Sequence, residues 1–150
     1  MFVSHCLARE RDTERKPRCH LPIEAPQTLF AAQVADGLLQ RANSSLHNFL
    51  LYVVDQTRGM AYVNNCPPRI TIPLWLFDED IVSMHYGERS SIEDAVTYYV
   101  AHELSHLIAH PARGHGKKFM YVLSYLCPVK LQWHEHTYKP RNAAAAGVAK

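Results

Sequence analysis

Residues 91 to 111 read SIEDAVTYYVAHELSHLIAHP, and the rest of the chain is best understood outward from them. Ile92, Ala95, Val96, Tyr99, Val100, Leu104 and Leu107 recur with the helical period, the spacing that puts side chains on one buried face. Ser90 or Ser91 can cap the N-terminus, and Glu93 and Asp94 fall in the first turn, where the helix dipole favours negative charge. Pro111 stops the pattern. A helix to His110 is therefore expected. On it His102 and His106 lie four residues apart on one face, so both imidazoles can grip one metal ion. Glu103 stands beside the first of them, within reach of a metal-bound water as a general base.

Upstream, Leu29, Phe30, Val34 and Leu38 predict an amphipathic helix over residues 27 to 42. NFLLYVVD (48 to 55) and MAYVNN (60 to 65) read as two strands of a hairpin, joined by a turn over Gln56 to Gly59. RITIPLWLF (69 to 77) reads as a third strand. Pro73 has no N–H for a ladder, so this strand, or its end, is expected at a sheet edge. Residues 78 to 91 are acidic and polar and read as a loop. KKFMYVLSYL (117 to 126) is a further helix, ended by Cys127-Pro128. The expected fold is α+β: a leading helix, a small, mostly antiparallel sheet, the metal-binding helix and a supporting C-terminal helix. Residues 1 to 26, dense in charge and proline, read as a loosely packed arm; 27 to 138 form the domain; 139 to 150 form a frayed tail.

A catalytic zinc usually takes three protein ligands and keeps one position open. His110 is eight residues from His102, about 12 Å along the axis at 1.5 Å per residue, too far to share the ion. Ala109 and Ala112 stand where the metzincin pattern needs glycine and histidine. His115 follows the Pro111 break in a glycine-flanked turn and can fold back beside the helix, which makes it the expected third ligand. His134 and His136 are lesser candidates. For the oxyanion of a hydrolytic reaction, or for the edge of the site, Tyr121, Tyr125 and His134 are the candidates.

HELSH (102 to 106) followed by RGHGKKF (113 to 119) resembles the SprT-like metalloprotease domain and, more loosely, the small minigluzincin-type families. Their pattern is HExxH, a short variable stretch, and a histidine in an HGxxF or HGxxW turn; His115, Gly116 and Phe119 match the second element. The resemblance implies zinc held by His102, His106 and His115, Glu103 as catalytic base, a protein or peptide substrate, and the α+β order given above. The strand at 69 to 76 is then expected beside the cleft, pairing with an extended peptide.

Ten histidines in 150 residues is the one unusual feature of the composition, and six fall between His102 and His136. Hydrophobic residues make up 47% and charged residues 20%, which argues against global disorder. The net charge of +2 hides a gradient: +1 over residues 1 to 26, −5 over 27 to 110 and +6 over 111 to 150. The basic last quarter, with Trp133 and Tyr138, leaves room for a nucleic-acid partner. No apolar run approaches the length of a membrane span. The four cysteines are widely spaced with no CxxC pair, and no secretory signal is visible, so an intracellular, cytoplasmic setting is expected. The alternative to an enzyme is a non-catalytic zinc-stabilised binding module, with or without a nucleic-acid partner, in which a fourth histidine fills the open position.

Overall fold

The computed structural model describes residues 20–131. Helix α1 (Pro26–Arg41) begins with proline at a first-turn position, where the missing N–H costs nothing, and ends on Arg41. Its buried face is built from small residues, Ala31, Ala32 and Ala35, followed by Leu38 and Leu39. That allows close approach to α3 (Ile92–Ala109), the helix that carries His102 and His106. Helix α3 is capped as expected, with Ser91 Oγ accepting from the Asp94 N–H at 3.0 Å. It packs against α1, against α4 (Lys117–Leu126) and against the sheet. Arg41 Nη2 donates to the Leu126 carbonyl, so the end of α1 satisfies the end of α4.

The sheet has three strands, β1 (Leu50–Val54), β2 (Met60–Tyr62) and β3 (Arg69–Pro73), in the order β1-β3-β2. Together with the four helices this is an α+β architecture, as expected, but the sheet is mixed. β1 runs parallel to β3, and β2 runs antiparallel to it. The expected β1–β2 hairpin is therefore not formed. The linker Asp55 to Gly59 carries no two-residue turn signal such as Asn-Gly, and β1 and β3 are buried on both faces, the pattern of parallel partners. β3 lies at the centre and not at an edge. Pro73 is its last residue, and β2 reaches only as far as Thr71, so the missing N–H removes no bond on that side.

After Pro73 the chain turns into a short 3-10 helix, Leu74–Phe77, so the third strand is four residues shorter than predicted. The expected loop at 78 to 91 contains another helix, α2 (Glu79–Tyr86). Its signals are local: Asp78 accepts from the Asp80 and Ile81 N–H groups, Glu79 and Asp80 fill the first turn, and Gly87 ends the helix at φ 104°. The acidic character that suggested a loop is N-terminal capping chemistry.

One core holds these parts together. Leu51, Val53, Ile70 and Ile72 from one face of the sheet meet the apolar faces of α1, α3 and α4, including Val96, Val100, Leu104, Phe119 and Leu126. Leu50, Tyr52 and Val54 form a second buried cluster on the opposite face. Among the described residues no helix is long and apolar enough to cross a membrane.

Candidate metal centre

The last two turns of α3 are apolar on the side facing the core, where Leu104 and Leu107 are buried. The same turns project His102 and His106 to the other side, as their four-residue spacing requires. Their ring centroids are 5.2 Å apart. After Ala109 the chain leaves the helix, turns at Gly114, where φ is 69°, and brings His115 back. Its ring lies 4.9 Å from His102 and 5.0 Å from His106. The three residues each offer a ring nitrogen, and these atoms all lie within 4.8 Å of one another. Such a group can hold a metal ion, and it is the only one of three or more potential ligands among the described residues. His110 is exposed and outside the group, as the helix geometry required.

Phe119, on the first turn of α4, is 2% exposed and packs against all three imidazoles, at centroid distances of 5.0, 4.5 and 4.7 Å from His102, His106 and His115. The phenylalanine of the HGxxF turn is thus the apolar support of the triad, and it ties the loop histidine to the helical pair.

The electrostatics suit a metal. Burial, together with the neighbouring His106 and then His115, holds the His102 imidazole down to about pKa 3. Burial, and then His115, also lowers His106. Both are therefore neutral at physiological pH, with lone pairs available for coordination. Glu103 is 5% exposed, and burial pushes its carboxyl up to about 8 against the opposing charge of Arg58. A carboxyl that prefers its proton at neutrality, set beside the neutral imidazoles of His102 and His106, is the kind of perturbed pair that clusters at functional sites.

These groups lie in a cleft of about 980 Å³. One side is formed by Gly59, Met60 and Ala61, at and just before the β2 edge strand. Another is formed by the α3–α4 loop and the start of α4. The Gly59 N–H donates to the Tyr99 hydroxyl at 2.9 Å, which joins the β2 edge to α3.

Two expectations about the cleft need correction. The strand RITIP cannot offer a free edge, because β3 is paired on both sides; the strand at the cleft is β2. Tyr121 and Tyr125 do not line the cleft. They are exposed, with their rings 5.4 Å apart along α4, where their positions follow the helix face away from Phe119 and Leu123. The tyrosines that do line it are Tyr86, Tyr98 and Tyr99. The signal for two of these was available: Tyr98 and Tyr99 precede His102 by four and three residues, the spacings that share a helix face. His134, His136, Trp133 and Tyr138, and with them Lys139, Arg141 and Lys150 of the basic last quarter, lie outside the described residues.

The chain matches no protein-family model, no curated protein and no solved structure.

Proposed function

We propose that this chain is a zinc-dependent metallopeptidase. The observation that carries the reading is the convergence of His102, His106 and His115, with ring nitrogens within 4.8 Å of one another, next to a buried Glu103 in an open cleft. An all-imidazole set of three suits zinc, with a position left for substrate or water. When bound, such an ion supplies Lewis acidity, acidifying a water and polarising a carbonyl.

The chain's own groups account for the rest. Glu103 ionises more readily beside a dication, because a nearby positive charge favours the carboxylate over its buried acid form. It then accepts a proton from the attacking water and returns it to the leaving amine as the C–N bond breaks. The free edge of β2 at Met60–Tyr62 binds an extended peptide through main-chain hydrogen bonds. Phe119 holds the three imidazoles in place, and the phenols of Tyr98 and Tyr99 are the hydroxyl groups nearest in sequence to the metal ligands within the cleft.

The test is removal and return of the metal. A peptide library incubated with the protein is expected to show new C–N cleavages read by mass spectrometry, lost after chelation and dialysis and restored by about one equivalent of zinc. Cleavage that survives complete chelation would refute the reading.

A further inference from the structure

The charged side chains are unevenly placed around the cleft. Residues 27–110 hold nine carboxylates against four basic groups. Yet among the described residues the only carboxylate lining the cleft is Glu103, which is buried. Two arginines line it, Arg58 and Arg113, and both are exposed. An acid-rich stretch has therefore kept its acids out of the cleft and placed a cation in it. A concave surface carrying one sign of charge focuses its field and raises the local concentration of ligands of the opposite sign.

Arg58 is the better placed of the two. It sits in the β1–β2 loop, immediately before Gly59, whose N–H is held by the Tyr99 hydroxyl. The Gly59 backbone is packed so closely on Thr71 that no Cβ fits there. The Arg58 main chain is thereby anchored to both the sheet and the metal helix. Arg58 lines the same cleft as Glu103, His102, His106 and His115. It also stands just before Met60, where the β2 edge begins. A guanidinium in this position presents a planar donor fork that matches a carboxylate.

We propose that the cleft selects peptides that carry a carboxylate close to the scissile bond, from an acidic side chain or from a free C-terminus, and that Arg58 is the residue that binds it. The nearness to a scissile bond rests on the peptidase reading, but the carboxylate site itself is tested by binding alone.

Three fluorescent decapeptides of one sequence serve as probes: central Gln with an amidated C-terminus, central Glu with an amidated C-terminus, and central Gln with a free C-terminus. Anisotropy is read on the zinc-loaded full chain carrying Glu103→Gln, so that the peptides stay intact. At least one carboxylate peptide is expected to bind about ten-fold tighter than the neutral one, the usual worth of a charge-assisted pair. Which peptide it is identifies the source of the carboxylate. Adding Arg58→Gln is expected to bring all three within about two-fold of one another, and Arg58→Lys to restore part of the preference, since a point charge replaces a fork. Equal binding of all three peptides with Arg58 present would overturn the proposal. So would a preference that survives Arg58→Gln or that is lost only on Arg113→Gln. Wild-type hydrolysis of the same peptides is scored separately. An Arg58-dependent preference without hydrolysis leaves this site standing and removes the peptidase reading; hydrolysis without preference does the reverse.

Discussion

The imidazole of His115 lies 4.9 Å from that of His102, although one belongs to a loop and the other to a helix. The approach depends on the turn at Gly114 and on Phe119, which contacts both rings. If this contact exists to complete a metal site, His115→Ala leaves only the helical pair. Zinc affinity, measured by competition with a chromogenic chelator, is expected to fall by more than the roughly 10- to 100-fold typical of losing an outer-shell partner. Because His115 is exposed, the thermal midpoint of the metal-free protein should barely move. Unchanged zinc affinity would remove His115 from the ligand set.

The metal-free protein should have an unusual pH profile of stability. His102 has its folded pKa lowered from 6.5 to about 3. Between those values the unfolded chain binds a proton that the folded chain does not, so stability is lost as pH falls through that window. Glu103 is the opposite case, raised from 4.5 to about 8. Between those values the folded chain holds the extra proton, so stability is lost as pH rises. The histidine slope, to which the lowered His106 adds with the same sign, opposes the Glu103 slope between pH 4.5 and 6.5; below that window only the histidines act, and above it only Glu103. Chelated protein is thus expected to be most stable in mildly acidic solution, with its unfolding midpoint falling on both sides. In Glu103→Gln the decline toward pH 8 should vanish while the acid decline remains. Circular dichroism melts across pH 3 to 9 check both limbs, and an alkaline limb unchanged in Glu103→Gln would contradict the assignment.

Gly59 is required by packing. A Cβ there would overlap the Thr71 carbonyl and sit 2.9 Å from Cε1 of Tyr99. Gly59→Ala must push the β2 edge away from β3 and from α3, at a cost of about 1–3 kcal/mol or more for overpacking. The same shift displaces Met60 and Ala61 at the cleft, so kcat/KM should fall further than the loss of folded protein explains. Denaturant melts paired with kinetics on the soluble variant separate the two effects.

Much of this site could be read from the residues because its signals are local. The His102–His106 pair, the Ser91 cap and the Pro111 stop all act within a turn or two of helix, and the structure reproduces them within a residue. The return of His115 was legible from the glycine-flanked turn. The sheet was less so, because strand order depends on contacts distant in sequence: nothing within residues 48 to 65 says that Arg69–Pro73 will insert between the first two strands. Helix α2 was hidden by its own capping acids, Asp78, Glu79 and Asp80, which look like a polar loop when counted by composition. Tyr121 and Tyr125 misled because they flank helix residues that do reach the site, Met120 and Leu123, while pointing elsewhere.

The central claim is that Glu103 moves the proton for a hydrolysis at a metal held by His102, His106 and His115. Glu103→Gln tests it most directly, because the amide keeps the shape of the buried side chain and removes its basicity. Zinc content and peptide hydrolysis are to be measured side by side on the wild type and the variant. The account predicts about one zinc per chain in both proteins and, in the variant, a loss of roughly 10²- to 10⁴-fold in kcat, the usual contribution of a general base. Hydrolysis retained at the wild-type rate in a zinc-loaded Glu103→Gln protein would contradict it.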